Sequence, residues 1–120
     1  MARGRSNFKM GTVEMIVLYL LSHQDLYGYQ ITTLIKELSE GNVIVTESTL
    51  YPTLYKLLNN KYISDYEEII GKRRVRVYYH LEPAGLQRLN DLLEDYAEIT
   101  FGINKILSTY VNEKERSDEQ

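Results

Sequence analysis

The chain has 120 residues, 43% hydrophobic and 26% charged, which fits one globular domain with a modest core and not a disordered chain. It has no cysteine, so disulfides, thiolate catalysis and cysteine-based zinc sites are excluded together. Its net charge of −3 hides an asymmetry: residues 1–81 carry 10 Lys and Arg against 8 Asp and Glu (+2), and residues 82–120 carry 4 against 9 (−5).

Met1–Asn7 is small, polar and basic, with Arg3 and Arg5, and predicts a mobile arm. Lys9–His23 predicts a first helix whose Val13, Met15, Val17, Leu18, Leu20 and Leu21 cover more than one face, so it should be buried on several sides. The apolar run Val13–Leu21 is short and broken by Glu14, unlike a signal peptide. No run reaches the roughly 20 residues of a membrane span, so no membrane partner is expected and the expected location is the cytoplasm. After a turn at Gln24–Asp25, Tyr27-Gly28-Tyr29-Gln30 opens a second helix, in which Ile31, Leu34, Ile35 and Leu38 repeat at helical spacing. Gly41 suits the left-handed residue that ends it. Val43-Ile44-Val45 is β-branched throughout and suits a short strand.

Thr46–Leu58 predicts a third helix, capped by Thr46 or Ser48, on which Leu50, Leu54, Leu57 and Leu58 share one face. The opposite face holds Ser48, Thr49, Tyr51, Thr53, Tyr55 and Lys56: hydroxyls, flat rings and one cation, with no acid after Glu47. Such a surface suits phosphate oxygens and base edges, although a solvated amphipathic helix would look the same in isolation. Pro52 removes an intrahelical hydrogen bond, so a helix starting late, near Ser48, with an irregular first turn is expected.

Tyr62–Ile70 and Val75–Leu81 are β-rich runs joined by Gly71-Lys72-Arg73-Arg74, which reads as a hairpin with a cationic tip. Pro83 then fits the first turn of a last helix. Along it Leu86, Leu89, Leu93, Tyr96, Thr100, Ile103, Leu107 and Tyr110 follow a heptad-like rhythm, widened by Leu92, Ile99 and Ile106. About 28 helical residues run about 42 Å, longer than so small a domain can cover, so half the stripe needs a second copy.

Three helices followed by a two-stranded hairpin is the winged helix-turn-helix order, in which the third helix enters the major groove and the hairpin tip reaches the neighbouring backbone. The fold class is therefore α+β, mainly α. Residues 1–82 form a DNA-binding winged helix-turn-helix, 83–112 a dimerisation helix and 113–120 a charged tail.

Three segments carry a family resemblance: Tyr27-Gly28-Tyr29-Gln30-Ile31, Glu47-Ser48-Thr49-Leu50-Tyr51-Pro52-Thr53-Leu54, and Arg73-Arg74-Val75-Arg76-Val77-Tyr78-Tyr79-His80-Leu81-Glu82-Pro83-Ala84-Gly85. The chain resembles the PadR family of transcriptional regulators from about Lys9 to Tyr110. Its single C-terminal helix is similar to the short subgroup that includes multidrug-sensing members. The resemblance implies a homodimer joined through Leu86, Leu89, Leu93, Tyr96, Ile103, Leu107 and Tyr110 that binds a palindromic double-stranded DNA operator. It also implies repression relieved by a small hydrophobic or aromatic effector. The family's recognition-helix contacts would fall on Ser48, Thr49, Tyr51, Pro52 and Lys56, and its wing contacts on Lys72, Arg73 and Arg74. An aromatic that lines the pore at the dimer centre, a Trp in the multidrug-sensing members, aligns here with Tyr96, because this chain has no Trp. Tyr96 could stack on a ligand there or simply pack in the dimer seam. Glu14, Met15 and Leu18 of the first helix and Leu92 of the last would face the same cavity. Glu14 there could pair with a cationic ligand or snorkel to solvent.

No enzyme is expected. His23 and His80 lack an acid constellation at metal spacing, so neither a metal nor a cofactor is implied. Gly71-Lys72 lacks the phosphate-loop frame. Glu67 and Glu68 point to opposite faces of a strand. The rival reading is a dimeric winged-helix adaptor that binds no DNA and uses its acidic C-terminal part as a protein contact surface. The basic hairpin tip beside a hydroxyl-rich helix argues against it.

Overall fold

The spacing of Leu50, Leu54 and Leu57 produces what it predicts: all three are fully buried on the inner face of one helix, against Val17, Leu18, Leu26 and Ile31. The computed structural model describes the backbone of residues 2–119 and the side-chain surroundings of residues 11–110. Side chains of 1–10 and 111–120 lie outside those described; the backbone of residues 2–7, expected as a mobile arm, is part of the first helix, and that of 113–119, expected as a tail, is part of the last. In chain order the elements are α1 (Ala2–Leu21), β1 (Leu26–Tyr27), α2 (Gly28–Leu38), α3 (Glu47–Asn59), β2 (Ile63–Ile69), β3 (Val75–Leu81) and α4 (Pro83–Glu119). This is an α+β winged helix, mainly helical, with a long C-terminal helix. Among the described residues, no helix is long and apolar enough to cross a membrane.

The core collects side chains from every layer. Val13, Met15, Val17, Leu18, Leu20 and Leu21 of α1 are buried, so the helix is covered on several sides as its composition requires. Ile31 and Ile35 of α2, Ile63 of β2, Tyr79 of β3 and Leu89 of α4 close the cluster.

The sheet has three strands, the two of the predicted hairpin and β1, which the sequence did not suggest, in the order β1-β3-β2 and antiparallel throughout. β1 is a two-residue strand whose Leu26 and Tyr27 pair with Tyr79 and Tyr78. Tyr27, Tyr78 and Tyr66 thereby form a row across the sheet, with centroids 5.5 Å and 5.6 Å apart, the second pair stacked. β2 is the outer strand along its whole length, and Asp65, Glu67 and Glu68 are exposed on it. The Val43-Ile44-Val45 run makes no strand. The Ser39 hydroxyl takes both backbone groups of Val43, accepting from its N–H at 2.9 Å and donating to its carbonyl at 3.1 Å, and only Val45 turns inward.

Helix ends follow hydrogen bonding more than residue type. After α2 the left-handed turn begins one residue early, at Glu40 (φ 55°), and Gly41 (φ 79°) continues it. The Gly41 N–H reaches the Lys36 carbonyl at 2.8 Å and the Glu40 N–H reaches the Glu37 carbonyl at 3.1 Å, a Schellman closure. α3 ends the same way: Lys61 takes φ 61°, Tyr62 N–H binds the Leu57 carbonyl and Lys61 N–H binds the Leu58 carbonyl, each at 3.0 Å. α4 then starts hard against this turn. The Glu82 N–H binds the Tyr62 carbonyl at 3.0 Å, and a Cβ on Gly85 would collide with that same carbonyl and with Leu81.

Two substitutions check these constraints by urea unfolding. Gly85→Ala should cost about 1–3 kcal/mol as an overpacked contact, although alanine is ordinarily the better helix former. Lys61→Gly should stabilise by up to about 1 kcal/mol, because glycine adopts the left-handed region without the Cβ clash.

Candidate nucleic-acid interface

α3 begins at Glu47, earlier than Pro52 led one to expect, with Thr46 as its N-cap residue. Pro52 therefore lies inside the helix, and the carbonyl four residues back, on Ser48, has no proline N–H to accept. Ser48 and Pro52 are both exposed, so the break faces outward where another donor can reach it. The outward face consists of Ser48, Thr49, Pro52, Tyr55, Lys56 and Asn59. Two residues assigned to it from the sequence stand elsewhere. Thr53 is buried and its hydroxyl donates to the Thr49 carbonyl at 3.1 Å. Tyr51 is half-buried, with its hydroxyl over α2, so close that a Cβ on Gly28 would lie 2.7 Å from it.

The hairpin tip Gly71–Arg74 is exposed throughout, closed by an Ile70 N–H to Arg74 carbonyl bond of 2.9 Å, with Gly71 at φ 79°. Between tip and helix lies an open groove of about 410 Å³, lined by Tyr27, Gly28, Tyr29, Tyr51, Tyr55, Val75, Arg76, Val77 and Tyr79. No carboxylate lines it. The Arg76 guanidinium lies 4.0 Å from the Tyr27 ring centroid, a cation–π contact that stretches the side chain along the groove. Burial pushes the Tyr79 phenol above its ordinary value, so it stays neutral. Tyr55, placed on the polar face from the sequence, lines this groove, and so do Tyr29 and Arg76, which the sequence reading did not select as contacts. The signal available was the Tyr-Gly-Tyr spacing at the start of α2, and Arg76 standing two residues after Arg74 in a strand.

The wing is fastened at its far end by a polar cluster. Asp25 accepts the Tyr66 hydroxyl at 2.8 Å, and its other oxygen lies 2.8 Å from His80 Nδ1. Burial would raise the Asp25 carboxyl, but the hydrogen bonds from His80 and Tyr66 outweigh it and hold the group below its usual value. The same Asp25 contact raises His80 above its ordinary value and pushes Tyr66 up to about 12. His80 is thus structural, as its sequence context suggested, with a partner 55 positions away.

The predicted effector residues divide. Met15, Leu92 and Tyr96 line a pocket between α1 and α4 of about 150 Å³, together with Gly11, Thr12, Asp95 and Ile99. Glu14 and Leu18 are not part of it. Leu18 is fully buried in the core, and Glu14, 3% exposed, is taken up by Arg88 Nε at 3.0 Å and Lys56 Nζ at 3.7 Å. The hydrogen bond to Glu14 raises the Arg88 pKa further. The acid in the pocket is Asp95. On α4, Leu86, Leu93, Tyr96, Ile99, Phe101, Ile103, Ile106, Leu107 and Tyr110 are all exposed. Leu89 is the exception among the predicted dimer residues: it is 3% exposed because the first turns of α4 pack into this chain's own core.

A family model, the Transcriptional regulator PadR-like family, matches residues 17–91. The chain belongs to the PadR-like family. Its members are transcriptional regulators and not enzymes. The matched span is shorter than Lys9–Tyr110 and runs from the end of α1 to the start of α4, so the PadR-like core holds both the α3 face and the wing. Among solved structures, the chain is similar to a transcriptional regulator from Clostridium thermocellum, at 33% identity and TM-score 0.74, covering 79% of this chain and 92% of that one. It is also similar to Bacillus subtilis PadR in complex with operator DNA, at 32% identity and TM-score 0.64, covering 68% of this chain and 46% of that longer one. An uncharacterised protein X of Lysinibacillus sphaericus is 28% identical over 95 residues, 79% of this chain and 87% of its own.

The Asp25 cluster gives a pH test. A raised His80 contributes stability fully below its unfolded value of 6.5, and loses it as pH rises through the higher folded value. The melting-temperature difference between wild type and His80→Gln should therefore be larger at pH 6 than at pH 9. Equal differences at both would remove His80 from the fastening of the wing.

Proposed function

We propose that this PadR-like protein is a cytoplasmic, homodimeric DNA-binding repressor. Recognition falls to Ser48, Thr49, Tyr51, Pro52 and Lys56, backbone contact to Lys72, Arg73 and Arg74. The observation that carries this reading is the carboxylate-free groove in which Tyr51 and Tyr55 of α3 meet Val75, Arg76 and Val77 of the wing. A continuous surface of hydroxyls, rings and guanidinium is what a phosphate backbone beside a major groove requires. Likeness to a PadR solved with operator DNA supports the same partner.

Dimerisation is supported by the apolar row of α4, whose Leu93, Tyr96, Ile103, Leu107 and Tyr110 stay exposed. A second α4 is its natural cover, and a palindromic operator follows from two-fold symmetry. The α1–α4 pocket is smaller than the roughly 300 Å³ at which drug-sized sites begin, so a full effector site needs both subunits. Apolar walls with Asp95 and Tyr96 suit a hydrophobic, cationic or aromatic effector. Tyr96 then serves ligand and seam alike.

The test is fluorescence-anisotropy binding to a duplex from the protein's own upstream region, against a scrambled duplex, at two salt concentrations. Preference persisting at the higher salt is expected. Absence of binding at either salt would sink the repressor reading in favour of the non-DNA adaptor. Arg73→Ala with Arg74→Ala should weaken all duplexes alike and flatten the salt slope by about two units. Thr49→Ala should relax preference more than it lowers non-specific affinity. Ile103→Glu with Leu107→Glu should yield monomers in sedimentation, and persistence of the dimer would move the interface off α4.

A further inference from the structure

The buried carboxylate of Glu14 is shared by two helices that its own helix separates. Its Oε1 accepts from Arg88 Nε of α4 at 3.0 Å, and its Oε2 lies 3.7 Å from Lys56 Nζ of α3. The two partners are unequal. The Arg88 contact is a charge-assisted hydrogen bond, whereas the Lys56 contact is too long for one and is held by charge alone. Lys56 is also the more exposed of the two, with 53% of its side chain accessible against 37% for Arg88. It is the partner free to exchange a carboxylate for a phosphate. Lys56 is moreover the single Lys or Arg in α3, so the positive charge that this helix offers depends on Glu14.

We infer that Glu14 is a positioning residue for DNA binding: it restrains Lys56 of the recognition helix, and Arg88 of α4 sets how strongly it does so. The inference rests on the DNA-binding reading and deepens it. While Arg88 satisfies the carboxylate, Lys56 is only loosely held and its charge is available to the backbone. When Arg88 withdraws, a buried anion is left with Lys56 as its one remaining cation among the described residues, and the hold tightens. Arg88 stands one helical turn before Leu92, which lines the α1–α4 pocket with Asp95 and Tyr96. A displacement of α4 at that pocket therefore reaches the recognition helix through one carboxylate.

The test measures affinity for one duplex against salt concentration for E14Q, R88Q and each of these in a K56M background. E14Q should bind roughly two- to tenfold more tightly at low salt, with a slope steeper by up to about one unit, the share of a single phosphate contact. R88Q should move both quantities the opposite way. In the K56M background both effects should vanish. A merely structural role would weaken E14Q and R88Q together, and that result overturns the inference, as does an effect of either that survives in K56M. Because Arg88 and Lys56 are each more than one-third exposed, R88Q and K56M retain the fold even where E14Q does not, and an unchanged slope in R88Q is equally decisive. Failure of the wild type and every variant to bind overturns the DNA-binding reading itself. Wild-type binding with a neutral E14Q overturns this inference alone.

Discussion

A carboxylate that is almost wholly inside the protein is the most costly group in this structure, and the rest is arranged around satisfying it. Glu14 sits on α1 with apolar neighbours on both sides in sequence, Val13 and Met15, both buried. Removed from water, its charge is tolerable only beside cations, and these come from α3 and α4. The consequence is architectural. α1, α3 and α4 share one ion cluster, and none of the three can shift without altering the surroundings of the other two. Leu89 and Gly85 reinforce this by seating the first turns of α4 in the core and against Tyr62. α4, whose far end stays exposed, is thereby anchored at its near end.

The second constraint is the attachment of the wing. A two-stranded hairpin alone is marginal in water, and here it gains a third strand and an aromatic row. Tyr27 belongs at once to β1 and to the start of α2, where its N–H is held by the Gln30 side chain at 3.1 Å. The same residue carries the Arg76 guanidinium on its ring and packs against Tyr78. The Tyr-Gly-Tyr segment thus joins helix-turn-helix and wing, and Gly28 gives the space in which Tyr51 of α3 approaches. The spatial relation between the two DNA-facing parts is set by these few aromatic contacts.

What the sequence made legible was local in origin. The Leu50–Leu54–Leu57 spacing, the cationic turn after Gly71 and the heptad rhythm of α4 each depend on residues close in the chain, and each corresponds to an observed element. What it concealed was non-local. β1 is two residues long and exists because β3 lies alongside it some fifty positions later. The Val43–Val45 run, richer in strand formers, stays irregular, with both backbone groups of Val43 taken by Ser39. Glu14 looked like a possible ligand group or a snorkelling acid because its partner Arg88 is 74 positions away. Leu89 obeyed the heptad rhythm and yet belongs to the core, since periodicity tells which face a residue shares and not what covers that face. Glycine marked only part of the left-handed backbone: Gly41 adopts it as expected, but Glu40 before it and Lys61 adopt it too, because closing the Schellman bonds outweighs a strain of about 1–2 kcal/mol.

The outer strand β2 carries a consequence for association. A strand seven residues long with one open edge is a template for another chain's strand. Asp65, Glu67 and Glu68 set like charges against any second copy of this edge. The same acids repel phosphates, so the side of β2 is unsuited to a nucleic-acid backbone, whereas the cationic Lys72–Arg74 turn carries the charge that suits one. One row of carboxylates therefore sets edge against edge along β2 and leaves a single turn of chain as the part of the wing with the opposite sign.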